Sequence, residues 1–445
     1  MIEMRPLSTT MSDDGSLGAF RQRRPRGRSV LPRRGPSVAG AWYGLLLAWI
    51  VSWAPAVLAQ QAEDPQLDRF SSALAAAGPG DTVEVPAGTY SRLRLAGMAF
   101  PSSAPLVIRP ADPLDPPRFS SLDLQGVSNV ILDGVIFDDI DDQADARFFV
   151  VSGSQGVIVR NCLFDGRPDR DGYGTGVGFY SIGNTRIRFE DNEVRGFLRG
   201  AMFVQTDGVT VRGNDLHGLR SDGLNFVQVT DVLVEGNRVR DFHKRPESGD
   251  HPDMIQFWTA GTDAPSSDIV IRNNLLLAGA GGWTQTIFIG NELVAQGVAG
   301  AEMFYRNVTI EGNLIVNAHL HGITVGGADG LVIRNNTVVR NPAAEGPDDN
   351  VALWTPAIWL SAGSRNVSVL DNVTGGLVLP HPLPGDWNSS GNLTVQDRSR
   401  LEPAFYGTVF AGLDAMDPTS FRPRPGGPLD GAGVGSPLPA ALTER

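Results

Sequence analysis

A short phrase recurs through the middle of this chain and leaves little choice of architecture. SNVILDGVIF, QGVIVRNCLF, TRIRFEDNEV, DGVTVRGNDL, TDVLVEGNRV, SDIVIRNNLL, RNVTIEGNLI, DGLVIRNNTV and RNVSVLDNVT follow one another between residues 128 and 374. Each alternates β-branched or aromatic residues with polar ones around a Gly/Asn/Asp turn, the pattern of a half-buried strand. An asparagine marks the turn at 192, 214, 237, 274, 313, 336 and 372, with Val135 and Cys162 in that place in the first two copies. The shortest spacings are 22 and 23 residues. A unit that short cannot bury a core alone, so copies must stack, and the period predicts a β-solenoid. Leucine-rich repeats share the period but need leucines and helices that are missing here. The stacked asparagines are expected at tight bends, tolerating left-handed backbone and bonding to one another along the stack.

Ahead of the repeats, a helix-like segment from Leu67 to Ala77 ends at Gly78-Pro79-Gly80 and runs into DTVEVPAGTY, residues 81–90. This passage resembles the opening of right-handed parallel β-helix proteins, in which a capping helix precedes the first coil. The resemblance implies an all-β chain, a single-stranded right-handed parallel β-helix with a short N-terminal capping helix. The expected division is a secretory signal over 1–59, a cap and first coil over 60–117, β-helix repeats over 118–377, and an extended tail over 378–445 packed on the last coils. The tail passage from Phe421 to Gly433 resembles the ends of extracellular β-helices. The leader reading rests on an arginine-rich start, an apolar run from Ala41 to Ala59, and Val57-Leu58-Ala59 as a small-residue cleavage site. It predicts a secreted or periplasmic monomer with no stable membrane insertion after cleavage.

Cleavage there would remove eight arginines and three acids, moving the formal charge from −12 to −17. That balance argues against nucleic acid as the main partner. It leaves room for an acidic polysaccharide, because a local cationic strip can act on an acidic protein. The lone Cys162 excludes an intrachain disulfide and a cysteine metal cluster. Lys244 is the one lysine.

The longer spacings locate inserts at Arg167–Gly174, His243–Asp250, Leu293–Met303 and Pro342–Thr355. All are expected between the asparagine turn and the next strand, on one side of the solenoid, where such loops build a binding groove. Aligning the strands that follow puts Arg199, Asp222, Asp253, Gln285 and His321 in one column, and Arg220, His251, Trp283 and His319 in the column two residues earlier. Successive coils lie about 4.8 Å apart, so Asp222 and Asp253 would be neighbours. Two such carboxylates need a shared proton or a cation between them, either arginine or Ca²⁺. A zinc set of His251, His319, His321 and Asp253 is a further reading.

The stretch Asp250-His251-Pro252-Asp253 resembles, in permuted order, the Asp-Pro-His-Asp signature of mannuronan C5-epimerases, which are right-handed β-helices. That resemblance implies His251 as the residue that abstracts a proton. Ser221-Asp222-Gly223, Asp253 and Leu320-His321-Gly322-Ile323 resemble more loosely the ordered motifs of polygalacturonase-type hydrolases, which implies Asp222 and Asp253 as acid and base. The favoured expectation is a lyase or C5-epimerase taking the C5 proton of a uronate in a polymer such as alginate. Arg220 or Arg199 would neutralise the carboxylate, His251 would act as base, and His319, His321 or Tyr305 as acid. Arg199, Asn225, Gln256, Trp258, Trp283, Gln285, Lys244, Tyr305 and Arg306 are the expected substrate contacts. Trp258 is either a sugar platform or a cap on the core. A hydrolase using Asp222 and Asp253, and a non-catalytic glycan-binding β-helix, remain as alternatives.

Overall fold

The computed structural model describes residues 65–138, 147–279, 283–344, 350–398 and 404–442. The expected leader, 1–59, lies outside them. Each turn of the chain gives one strand to each of three parallel sheets. The first sheet stacks twelve strands from Thr82–Val85 to Trp387–Ser390, the second twelve from Thr89–Tyr90 to Leu393–Thr394, and the third eleven from Leu93–Ala96 to Leu377–Val378. Neighbours in every sheet are one full turn apart in sequence, so the chain is a right-handed parallel β-helix. The helix Pro65–Ala76 closes its N-terminal end, setting Phe70 against the rings of Tyr90 and Phe119. No helix among the described residues is long and apolar enough to cross a membrane.

The first coil lies within the expected cap-and-first-coil segment, 60–117, while the last coils run past 377. The first begins at Thr82, and the strands of the last close at Thr394. The turn asparagine is a poor guide at the ends, because early coils do without it and a last one, Asn392, follows a short spacing. Asn372 donates to Asn392 Oδ1 from its backbone N and its Nδ2, at 3.0 and 2.9 Å.

The stacked asparagines bond along the axis. Asn237 is typical: it accepts from Asn214 N at 3.0 Å and Asn214 Nδ2 at 2.8 Å, and donates to Val211 O at 2.9 Å and Asn274 Oδ1 at 3.0 Å. They do not themselves take left-handed backbone. That conformation falls on the residue before each, such as Asp191 (φ 52°), Gly236 (φ 65°) and Asn273 (φ 54°). The preceding residue turns the corner, and the asparagine points inward to meet the buried backbone groups the corner leaves.

Inside, each coil's apolar residues meet those of the next, as in the stack Phe203–Phe226–Phe257 with centroids 5.3 and 4.6 Å apart. Outside, the first sheet carries an alternating column: Asp133, Arg160, Glu190, Arg212, Glu235, Arg272, Glu311, Arg334. In-register stacking would otherwise bring like charges together; alternation lets Arg160 pair with Asp133, Arg212 with Glu190, Arg272 with Glu235 and Arg334 with Glu311. The tail covers the outer face of the second sheet in the late coils, packing Tyr406, Phe410 and Phe421 on Leu277, Val316 and Val339. Ser436 ties it down by donating to Gly312 O at 2.7 Å.

Three inserts leave from the corner between the second and third sheets, ahead of the strands Thr175–Ile182, Asp253–Trp258 and Ala357–Leu360. The fourth does not. Leu293–Met303 follows the strand Gln285–Ile289 and precedes Tyr305–Glu311 of the first sheet. The third sheet therefore has inserts at both edges.

Candidate active site on the third sheet

The third sheet registers Val177 with Arg199, Asp253 with Gln285, and His321 with Ala357. Extending the paired rungs puts Arg199, Asp222, Asp253, Gln285 and His321 in one column. Arg220, His251, Trp283 and His319 precede it by two residues; Arg220 N donates to Phe197 O at 3.0 Å on the adjoining coil.

Strict alternation, expected from the sequence, breaks at these strands. Met254 and Ile255 both enter the core. In the coils before, glycine takes the place of Met254: a Cβ on Gly223 would lie 2.4 Å from Met254 O, and one on Gly200 2.5 Å from Gly223 O. Two successive inward residues put positions three apart on the same outer face. Asn225 Nδ2 thus donates to Asp222 Oδ2 at 3.2 Å and to Gln256 Oε1 at 3.0 Å, and His321 Nδ1 lies 2.8 Å from Thr324 Oγ1. Thr324 was missed for this reason. So was Trp359, which stands beside Thr324 in the register with its ring 6.3 Å from that of His321. An i, i+3 search through the strand would have found Thr324.

Asp253 is the centre of the strip. Its side chain has no exposed surface, while that of His251, with Nδ1 3.6 Å from Asp253 Oδ2, is 66 % exposed. At that distance the contact is one of charge rather than a formed hydrogen bond, and both Asp253 oxygens lack a hydrogen-bond partner. Burial pushes the Asp253 carboxyl up to about 7; His251 pulls it down, and the charges of Asp222 and Glu292 push it up. Asp253 in turn holds the His251 imidazole above its ordinary value, by side-chain contact and then by charge, against the cost of burial.

The other charges are largely committed. Arg199 Nε donates to Asp222 Oδ2 at 3.1 Å, and Arg220 Nε to Asp250 Oδ2 at 2.9 Å. Arg245 pairs with Asp169 and lies over the Tyr173 ring, joining the inserts 243–250 and 167–174. Burial drives His319 down to about 3, with His321, Lys244 and His251 adding to the shift, and drives His321 down to about 4. Both are neutral near pH 7. In that form they donate N–H hydrogen bonds rather than an imidazolium proton.

Two expected contacts lie elsewhere. Tyr305 belongs to the first sheet and is fully buried in the core, its hydroxyl donating to Gly290 O at 2.6 Å. Arg306 neighbours Ser267 on that sheet. The cause is the fourth insert, which leaves from the far edge of the third sheet. Trp258 is on the outer face, against the apolar group Val177, Tyr180 and Met202. Trp283 packs on His319 at 4.7 Å and carries Lys244 Nζ 5.4 Å from its ring centroid.

Unmet polar atoms gather here. Of the buried side-chain polar atoms without a partner among the described residues, Asn225 Oδ1, both Asp253 oxygens, Trp283 Nε1 and Gln285 Oε1 belong to this strip, while Arg245 Nε, Asn317 Oδ1, Arg340 Nε and Trp354 Nε1 lie off it. Buried polar groups in native proteins are nearly always paired, so such a cluster is the mark of a ligand site. By contrast, a cavity of about 620 Å³ near Glu84, Arg109, Asp133 and Asn161 has its charges already met, Arg109 with Glu84 and Arg160 with Asp133, each at 2.7 Å.

Neither metal reading fits the residues present. No group of three or more His, Cys, Asp or Glu able to hold a metal ion occurs among the described residues. Asp222 already meets Arg199, Asn225 and, at 3.2 Å, the Ser221 hydroxyl, which leaves a Ca²⁺ ion well short of its six to eight oxygens.

A family described as right handed beta helix region matches residues 147–288. A search of curated proteins finds no match. Solved structures with a similar course include an alginate lyase from Paenibacillus sp. str. FPU-7, 13 % identical, TM-score 0.41, covering 74 % of this chain and 97 % of that one. PfbA, a surface adhesin of Streptococcus pneumoniae, is 13 % identical, TM-score 0.43, covering 75 % and 89 %. The A-module of the Azotobacter vinelandii mannuronan C-5 epimerase AlgE6 is 16 % identical, TM-score 0.40, covering 76 % and 96 %.

Proposed function

We propose that the chain acts on an acidic polysaccharide by removing the C5 proton of a uronate residue. The observation that carries this reading is the His251–Asp253 pair: an exposed imidazole held by a fully buried carboxyl whose oxygens have no other partner. A buried carboxylate beside an imidazole raises its basicity and orients it, as a general base requires. Neutral His251 takes the C5 proton, and the carboxylate of the sugar carries the developing charge. Elimination then forms the C4–C5 double bond and expels O4, which takes a proton from the imidazolium. Epimerisation instead returns a proton to the other face of C5. Elimination needs one residue, His251, as base and then as acid, whereas that return needs a second acid, and Tyr305, expected in the role, lies in the core. Elimination is therefore the preferred half of the reading.

The test is to incubate the purified protein with alginate, pectate and glucuronan and follow ultraviolet absorbance of unsaturated uronate, with deuterium entry at C5 read in parallel by NMR. Absorbance supports a lyase and deuterium alone an epimerase. His251→Ala should lower either signal roughly 10²–10⁴-fold with the fold intact, because the side chain is largely exposed. Neither signal with any polymer refutes proton abstraction. Release of reducing ends without unsaturation would instead favour hydrolysis through Asp222 and Asp253.

A further inference from the structure

The unmet groups of the strip are not alike. Asn225, Asp253 and Gln285 present oxygens, which accept; Trp283 presents an indole N–H, which donates. Lys244 lies over the face of Trp283 at 5.4 Å, and its charge contributes to lowering His319. Among the described residues Lys244 has no carboxylate within ion-pair distance, whereas Arg199 and Arg220 meet Asp222 and Asp250. The insert carrying Lys244 is held close by on both sides, by Arg245 to Asp169 and by Asp250 to Arg220.

From this juxtaposition we infer that Lys244 and the Trp283 N–H form the carboxylate-binding end of the site, and that Gln285, the acceptor of this group that is not fully buried, reads a hydroxyl of the same sugar. The inference rests on the uronate reading above and deepens it by giving the ring a direction and naming what selects it. An anion placed at the arginine column would have to compete with carboxylates already bonded there. Placed at Lys244 it gains a partly desolvated ammonium and a charge-assisted indole bond. The Gln285 acceptor repels a carboxylate and pairs with a hydroxyl donor. The site should prefer a polymer with a free carboxylate and a neighbouring free hydroxyl, and reject one whose carboxylate is esterified or reduced.

The experiment measures binding, so it needs no turnover. Calorimetric titration of the full chain compares oligomers of mannuronate, guluronate, galacturonate and glucuronate with their carboxyl-reduced, neutral counterparts. The expected wild-type preference for the best acidic oligomer over its neutral partner is roughly 10- to 100-fold, the worth of a hydrogen-bonded charge. Lys244→Met should erase most of that preference while leaving neutral binding unchanged, Lys244→Arg should keep part of it, and Trp283→Phe should reduce it several-fold. A preference that survives Lys244→Met overturns the inference, as does a wild type with no preference or no binding. If the preference behaves as expected but neither unsaturation nor C5 exchange occurs, the carboxylate site stands and the proton-abstraction reading falls. Turnover with an unchanged preference in Lys244→Met has the opposite meaning.

Discussion

Replacing Asp253 with asparagine should stabilise the protein at neutral and alkaline pH while destroying its activity. In the folded chain burial raises the carboxyl from its ordinary 3.8 to about 7. Between those values the folded protein holds a proton that the unfolded chain has released. Stability therefore falls as pH rises through this window, the reverse of the usual salt-bridged carboxylate. The full shift corresponds to about 4 kcal/mol at 1.36 kcal/mol per pH unit. Between about pH 5 and about pH 8, the wild type should lose about 2–3 kcal/mol relative to Asp253→Asn. His251 acts in the same sense: its raised pKa gives stability present at low pH and lost as pH rises through the folded value, and the variant removes the cause. Urea unfolding of both proteins at the two pH values measures this as a difference of differences, in which the other titrating groups cancel. A gap that stays constant with pH, or a wild type that gains on the variant as pH rises, would refute the account of Asp253 as a carboxyl kept in a costly place for its chemistry.

Because His251 must be neutral to act, the acidic limb of kcat/KM should lie above the ordinary imidazole value of 6.5; Asp253→Asn should move it lower in whatever activity remains. Asn237→Ala removes four buried hydrogen bonds and orphans the Asn214 N–H, so denaturant titration should show a loss of roughly 3–5 kcal/mol. Arg212→Glu sets a third carboxylate between Glu190 and Glu235. Its cost on this half-exposed face should be about 1 kcal/mol and should shrink in high salt, which urea midpoints at two ionic strengths would show.

The solenoid and the rung order of the strip were legible in the sequence, because stacking is periodic and local. A spacing of 22 or 23 residues names the next coil up, and aligned phrases give the register that brings Asp222, Asp253, Gln285 and His321 into line. What the sequence could not carry was the choice of inside or outside where alternation fails. Met254 and Ile255 both go inward because the coils before offer glycine there, and that step depends on close packing between coils rather than on either residue alone. The same limit applies to the inserts. Only folding shows that Leu293–Met303 leaves from the far edge and takes Tyr305 and Arg306 away from the strip, or that Arg245 reaches Asp169, 76 positions distant, to hold the insert that carries Lys244. Charge and protonation belong wholly to tertiary structure. Asp222 and Asp253 are both aspartates next to each other in a column, yet Arg199 meets one and burial isolates the other, and only the isolated one is left with both oxygens unmet beside an imidazole.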